Sequence, residues 1–412
     1  MSPRILICSA SVGSGHGRAA VALQAALNRL RPDAFVQHVD VLSLTNAIFR
    51  RVYSKGYFDA IDLAPHVVRY VYDRLDRPRS TGIAAPQFFR SASAQLNFSR
   101  FIDLLTGGNW DLVVSTHFLP PEIIAALRSA GRVSFPHAVV TTDFDVHRLW
   151  VHSPVEKYFT ATEEGRANLA GAGIAAENII TSGIPIDPVF GETKSREVCR
   201  ARHGIIGGRP VVLQLSGGAG FGPAEKVHRA LLDTPVPLEI VMVAGRNAAV
   251  REKIAAIPCP ALHRRTVLGF TDRMDELMAV ADVIVTKPGG LTTSEALARG
   301  AAMLVIEPIP GQEERNSDYL LENGAAVKVN NLASLPHKLS HLLQDRGRLQ
   351  AMRDASRRLG KPFAAFDIAR SVLKLIEPEM PRSIPPAPKR TSRFSRLRLR
   401  RWRRTRNSST VS

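Results

Sequence analysis

Near its start the chain carries a histidine inside a run of small residues, Gly13-Ser14-Gly15-His16-Gly17. Imidazole is the side chain whose ordinary pKa lets it take up and return a proton near neutrality. At a helix start, beside flexible glycines and facing a cleft, His16 can act as general base on a hydroxyl. A structural loop histidine is the competing reading. The glycines let the backbone approach a ligand closely, and a helix N-terminus behind them favours negative charge. The dinucleotide fingerprint would need a third glycine where Arg18 stands. With Asp40 ending the next strand at a suitable distance, the loop is a weak match to an NAD site.

Three further clusters have ligand-binding chemistry. Ser216-Gly217-Gly218-Ala219-Gly220-Phe221-Gly222 lacks the Lys-Ser or Lys-Thr pair of a Walker loop, which argues against nucleoside triphosphate hydrolysis. Its backbone N–H groups suit a diphosphate, or simply a tight turn into a helix. Lys287-Pro288-Gly289-Gly290-Leu291-Thr292-Thr293-Ser294-Glu295 follows an apolar run and opens an alanine-rich one. Thr292 and Thr293 are expected to cap that helix and donate to phosphate oxygens. Glu295, expected in the first turn, offers two acceptors to a ribose diol, or is only the acid that a helix start favours. In Pro308-Ile309-Pro310-Gly311-Gln312-Glu313-Glu314-Arg315-Asn316, the side chains of Gln312, Glu313 and Asn316 can read sugar hydroxyls or form a polar helix start. Together the clusters of the second half describe a nucleotide-sugar pocket.

Elements must place these residues at strand ends. Apolar runs at 4–9, 34–41, 112–115, 138–142, 158–161 and 179–182 read as buried strands, with a helix over 18–30 after the glycine loop 13–17. After Gly183-Ile184-Pro185-Ile186-Asp187-Pro188 the pattern restarts, and 183–202 reads as a linker. Strands are expected at 211–215, 238–243, 266–268, 283–286, 303–306 and 326–329, with helices between them. Alternation of this kind gives α/β architecture: two doubly wound parallel sheets whose ligands sit beyond the strand carboxyl ends, across a cleft. The expected domains are 1–188, on the acceptor and membrane side, and 189–380. A last helix at 361–377 is free to pack back on the first domain, and 381–412 forms a disordered basic tail.

Composition bounds the function. The chain has 412 residues, enough for two domains, and only three cysteines, Cys8, Cys199 and Cys259, far apart. That argues against a disulfide scaffold or a structural zinc site and fits a reducing compartment. No run of 18 apolar residues is present, and the first 17 residues make a poor signal peptide. The net charge of +18 is concentrated. Residues 381–412 hold eleven Lys and Arg and no acid; residues 46–101 hold nine basic and four acidic side chains. The latter segment also contains 10 of the 26 aromatics, among them Tyr53, Tyr57, Tyr70 and Tyr72. A basic, aromatic segment suits an anionic lipid surface, single-stranded nucleic acid, or an ordinary helical subdomain. The tail, with Phe394, Leu397, Leu399 and Trp402 among arginines, suits a membrane surface, nucleic acid, or simply a solvated segment.

The motifs also carry a resemblance. SASVGSGHGRAA resembles the glycine-rich, histidine-bearing opening of the monogalactosyldiacylglycerol synthase and processive diacylglycerol glycosyltransferase family (glycosyltransferase family 28). VTTDFDVHRLWVH resembles its mid-domain Thr-Asp segment. GFTDRMDELMAVADVIVTKPGGLTTSEALARG with PGQEERN resembles the donor half that the family shares with the lipid-II-forming N-acetylglucosaminyltransferase. The resemblance covers about residues 4–377. It implies a GT-B fold and inverting, metal-independent transfer of a hexose from a UDP-sugar to a lipid hydroxyl, with diacylglycerol as acceptor and glycolipid as product. It implies His16 as catalytic base, Gly217, Gly218, Gly220 and Phe221 lining the diphosphate, and Arg246 and Asn247 reaching the nucleotide. Phe270, Thr271 and Met274 would frame uracil. Gly289, Gly290, Thr292, Thr293 and Glu295 would bind phosphate and ribose, and Gln312, Glu313 and Asn316 the sugar. Gly13, Gly15, His117 and Asp143 would lie on the acceptor side. Ser14 departs from the family's glycine and is tolerated unless the backbone there needs positive φ.

On this reading the protein works peripherally at the cytoplasmic face of the membrane, on an anionic surface, without cofactor, metal or nucleic-acid partner. The rivals are a same-fold N-acetylglucosaminyltransferase acting on a polyprenyl-linked lipid, a non-catalytic basic protein that binds nucleic acid, and an NAD-dependent oxidoreductase. Arg18 and the better-formed pocket of the second half disfavour the last of these.

Overall fold

Runs of β-branched and aliphatic residues bounded by glycine loops build two parallel sheets in the computed structural model, which describes residues 2–77, 96–216 and 223–377. The first sheet has strand order β2-β1-β3-β4-β5-β6. Its strands are β1 Arg4–Ser9, β2 Phe35–Asp40, β3 Leu112–Ser115, β4 His137–Val140, β5 Lys157–Thr160 and β6 Ile179–Thr181. The second has order β12-β11-β10-β7-β8-β9. It is made of β7 Val211–Leu215, β8 Glu239–Val243, β9 Arg264–Leu268, β10 Val283–Thr286, β11 Ala302–Ile306 and β12 Ala326–Val329. Every pairing is parallel. This is the α/β class expected from the alternation of elements.

In the first half the helices are α1 Gly15–Leu30, α2 Ala47–Leu63, α3 Pro65–Asp76, α4 Ser99–Gly107, α5 Leu119–Ser129 and α6 Glu163–Gly171. In the second they are α7 Arg196–Arg202, α8 Ala224–Leu232, α9 Ala248–Ala255, α10 Met274–Val280, α11 Gly290–Ala298 and α12 Gln312–Glu322. The chain continues through α13 Leu335–Gln344, α14 Arg346–Leu359 and α15 Ala364–Leu373.

Strand period sets the layers. Ile5 and Ile7 of β1 pack with Ala20, Leu23 and Leu27 of α1 and with Ile368 and Val372 of α15. Leu6 and Cys8 face the other way, against Phe101 of α4 and Ile123 of α5. The last helix thus closes the core of the first half although it follows the second in sequence. Another core joins the halves, with Ala19, Phe144 and Ile184 packed among Leu277, Leu291 and Val305. Burial of this kind, at about 25 cal/mol per Å² of apolar surface, is what holds two sheets as one body.

Some details differ from the sequence reading. Helix α1 begins at Gly15, so His16 and Gly17 are already helical. The presumed linker holds a 3-10 turn, Pro188–Gly191, and the short helix α7, which Ser195 caps. Ser14 has φ −91°, which serine adopts freely, whereas Gly13 has φ +82°. Cys8 and Cys199 are buried, and all three cysteines are free. Residues 217–222, with Gly217, Gly218, Gly220 and Phe221, lie outside the described residues, as do 78–95 and the basic tail. Among the described residues no helix is long and apolar enough to cross a membrane.

Candidate active site

Each sheet has one place where strand order reverses, β1/β3 in the first and β7/β10 in the second. Chains leaving neighbouring strands there diverge and open a crevice beyond the strand ends. His16 follows β1, and Thr116 and His117 follow β3. Ser216 follows β7, and the Lys287–Glu295 cluster follows β10.

His16 is clamped on one side of its ring. Nδ1 lies 3.0 Å from the Thr116 carbonyl oxygen and 2.7 Å from Thr142 Oγ1. A carbonyl can only accept, so Nδ1 carries the proton and Nε2 keeps its lone pair. Thr116 returns a hydrogen bond from Oγ1 to the His16 carbonyl at 3.0 Å. The His117 ring meets His16 edge-on with centroids 4.5 Å apart, and the Trp150 ring lies at 6.2 Å. Burial, eased by the Thr116 contact, pushes the His16 pKa down to about 4. The imidazole is therefore neutral at pH 7, which is the state a base needs. His117 is buried, and its Nδ1 accepts from Leu119 N at 3.0 Å. Burial and then the neighbouring His16 hold its pKa well below the ordinary value.

The second half meets this side directly. A Cβ on Gly290 would stand 2.1 Å from the Thr142 carbonyl oxygen, and one on Gly15 3.5 Å from Leu291. The N-terminus of α11 therefore abuts the residue that orients His16. Glycine is required at 290 by this approach and not by its φ. The expected threonine caps are absent: Gly289 is the N-cap, and Thr292 and Thr293 lie inside the helix because its turns begin at Gly290. Thr293 Oγ1 is buried and has no hydrogen-bond partner. Glu295 sits in the second turn, not the first, and is 1% exposed. It is ion-paired with Arg18, which reaches across from α1. Burial pushes the Glu295 carboxyl up to about 7; Arg18 opposes the shift and Asp187 adds to it.

The cluster at the start of α12 is already hydrogen-bonded. Glu313 accepts from Ile309 N at 2.8 Å, and Glu314 accepts from Gly311 N at 3.0 Å. Burial raises the Glu313 pKa. Asn316 is fully buried; its Oδ1 accepts from Phe144 N at 2.9 Å and its Nδ2 donates to the Pro288 carbonyl at 3.0 Å. It ties α12 to the loops after β4 and β10. Gln312 opens α12, half-buried. Asp143 follows β4, and burial, with Glu313 and Asp145 nearby, pushes its carboxyl up to about 7. On the far side, Arg246 packs over the Phe270 ring at 5.2 Å, and that ring is 66% exposed. An aromatic so open at a strand end can receive a base. Asn247 caps α9 by accepting from Val250 N, Thr271 accepts from Arg273 N at 3.1 Å, and Met274 starts α10. Among the described residues no group of three or more His, Cys, Asp or Glu is placed to hold a metal ion.

The sequence reading did not single out Thr116, Thr142 or Trp150, nor the contact of Arg18 with Glu295. Each depends on a neighbour more than 90 residues away in the chain.

Comparison with known proteins places the chain in a family and a fold. The family model described as Monogalactosyldiacylglycerol (MGDG) synthase matches residues 16–186, and that for the glycosyltransferase family 28 C-terminal domain matches residues 226–368. The chain is 30% identical over 379 residues to the processive diacylglycerol beta-glucosyltransferase of Bacillus subtilis (strain 168), covering 90% of this chain and 95% of that one. It is 28% identical over 394 residues to the enzyme of the same name from Bacillus cereus (strain B4264), covering 93% and 96%. Among solved structures, Acinetobacter baumannii MurG superposes with a TM-score of 0.59 at 17% identity, over 90% of this chain and 99% of that one. Anabaena HepE in complex with UDP-glucose gives 0.53 at 15% identity, over 90% and 99%. These structural likenesses are of fold, and the fold is GT-B.

Proposed function

Because the chain belongs to the family of monogalactosyldiacylglycerol synthases and diacylglycerol glucosyltransferases, and is a hexosyltransferase, we propose that it moves a hexose from a UDP-sugar to the free hydroxyl of diacylglycerol with inversion. The observation that carries the proposal is the meeting of His16 and α11. A neutral imidazole with its Nε2 lone pair available stands beside a helix start that holds an unpaired buried hydroxyl and a buried carboxylate. Buried polar atoms without partners call for an explanation, and a bound ligand supplies one.

In the proposed step His16 Nε2 accepts the proton of the lipid hydroxyl as its oxygen attacks the anomeric carbon. The bond from that carbon to the diphosphate oxygen breaks, and UDP leaves with the electron pair. The Thr116 carbonyl keeps the ring in the tautomer that can accept, with the Thr142 hydroxyl beside the same nitrogen. The N-terminus of α11 and the Thr293 hydroxyl face charge that grows on the leaving group, where fixed dipoles act without reorganisation. The ribose diol takes over Glu295 from Arg18, and Phe270 with Arg246 receives the uracil. Gln312 and Glu313 hold the hexose. On this account no divalent cation takes part, and transfer is expected to survive excess chelator.

The acceptor remains in a bilayer on this reading, and α3 is fitted to meet it. Val67, Tyr70, Val71 and Arg74 fall at helical spacing on one exposed face, next to exposed Leu63 and Arg77. An apolar stripe with cations beside it matches an anionic lipid surface. The deciding experiment incubates the full chain with each labelled UDP-hexose and liposomes that hold both diacylglycerol and a polyprenyl-linked acceptor, and identifies the lipid product. A β-linked hexosyl-diacylglycerol is expected. Label that reaches only a polyprenyl-linked acceptor, or no lipid at all, would refute the proposal.

A further inference from the structure

Helix α3 has a second, inward face, fastened to the second half by two ion pairs, an outer one between Arg69 and Glu314 at 3.4 Å and an inner one centred on Arg315. Arg315, on the first turn of α12, lies 2.7 Å from Asp76 and 3.8 Å from Asp73 of α3, and 3.0 Å from Asp145 of the loop after β4. Its guanidinium also stacks over the Tyr72 ring at 5.1 Å. Asp76 is held from behind by Arg148 N at 2.9 Å, and the Tyr72 carbonyl by His147 Nε2 at 2.9 Å. Tyr72 in turn lies against the sugar-side loop: a Cβ on Gly311 would stand 3.0 Å from its ring. Gly311 has φ +92°, so this position excludes side chains on two grounds.

The arrangement is thus a strap. Its outer face carries the exposed apolar stripe, while its inner face lies over the residue that precedes Gln312. The geometry points to Arg315 as a positioning residue that closes this strap over the donor sugar and so decides whether the activated hexose meets a lipid hydroxyl or water. The inference rests on the proposed transfer and deepens it. In the competing reaction a water oxygen attacks the anomeric carbon, the bond to the diphosphate breaks, the proton goes to His16 and free hexose with UDP results. Closing segments over a reactive donor commonly serve to exclude this loss.

The test measures glycolipid and free hexose in the same reaction, with UDP-hexose and diacylglycerol in mixed micelles, for the wild type, Arg315→Gln, Asp76→Asn and the double variant. UDP affinity is measured in parallel by calorimetry. Each single change is expected to raise the ratio of hydrolysis to transfer by about tenfold, and the double change no further, because both open the same bridge. UDP affinity should stay within about twofold, since no nucleotide contact lies on this face. Tyr72→Leu, which leaves the charges in place, supplies the same reading if Arg315→Gln does not fold. A ratio that stays at the wild-type value while both products fall together, or effects that multiply in the double variant, would overturn the strap. A wild type that makes no glycolipid refutes the transfer itself, and this inference with it.

Discussion

The two switch points are built alike and finished differently. At β1/β3 the catalytic candidate is complete: His16 has its Nδ1 partner, Thr116 returns a hydrogen bond, and His117 is satisfied by a backbone N–H. At β7/β10 the polar groups are provisional. Thr293 Oγ1 has no partner, and Glu295 borrows Arg18 from the opposite half. One side is organised in advance, and the other keeps a polar valence open at Thr293 and a carboxyl shared across the cleft at Glu295. Rigid catalyst and unfilled pocket are what a transferase needs if its donor is to be bound and released every turn.

The largest effect should come from the finished side. His16→Ala is expected to lower kcat by about 10²–10⁴-fold, the range of a general base, with UDP affinity unchanged; initial rates and titration calorimetry check both halves of the statement. The unfilled side should respond in binding. Glu295→Ala is expected to raise the donor KM by about 10- to 100-fold, as loss of a hydrogen-bonded carboxylate does. Equal donor KM values in the two enzymes would place the ribose elsewhere.

Contact between the two sides can be broken directly. Gly290→Ala drives a methyl into the Thr142 carbonyl, a backbone atom that cannot swing aside. Overpacking of about 1–3 kcal/mol is expected to part the halves and reduce kcat by roughly tenfold, with Tm lowered. Thr293→Val is subtler and has opposite signs in two measurements. It removes an unpaired buried hydroxyl, so Tm should hold or rise, while donor affinity falls about threefold to tenfold. A lower Tm with unchanged affinity would mean that the hydroxyl is structural.

The smallest effect is one of pH. His16 must be unprotonated, and its pKa is depressed to about 4, so its contribution to kcat/KM is lost only as pH falls through about 4. Between pH 8 and pH 6 it should change the rate less than about twofold. Glu295 runs the other way in stability. Its folded pKa, about 7, lies above the ordinary glutamate value of 4.5, so the native state binds the extra proton. Its contribution is full below the unfolded value and is lost as pH rises towards 7. Glu295→Gln should flatten that part of a Tm-against-pH curve.

The strands were legible because buried parallel strands are near-continuous aliphatic runs, and LVVS and VIVT can be little else between glycine loops. Helix starts were less so. Gly15 and Gly17 read as loop, yet α1 already includes them, because the burial of Ala19, Ala20 and Leu23 further along the helix outweighs the weak helix propensity of glycine. Thr292 and Thr293 read as caps for the same reason of local preference, and the helix begins two residues earlier. Pairings such as Arg18 with Glu295 or Arg315 with Asp76 were invisible, since a charge shows its sign in sequence and its partner only in the fold.

The chain passes between the halves twice, near Gly183 and near Lys361, and the two passages touch. A Cβ on Gly183, at φ +86°, would lie 2.5 Å from Lys361 Cβ, and one on Gly360 2.6 Å from the Leu297 carbonyl oxygen. Two pins set side by side define one axle. Shearing or twisting of one sheet across the other would have to stretch one passage against its neighbour, whereas swinging about their common line strains neither. A cross-link between residues 183 and 361 is therefore expected to leave any opening of the cleft intact, whereas one across residues 142 and 290 is expected to lock the halves together.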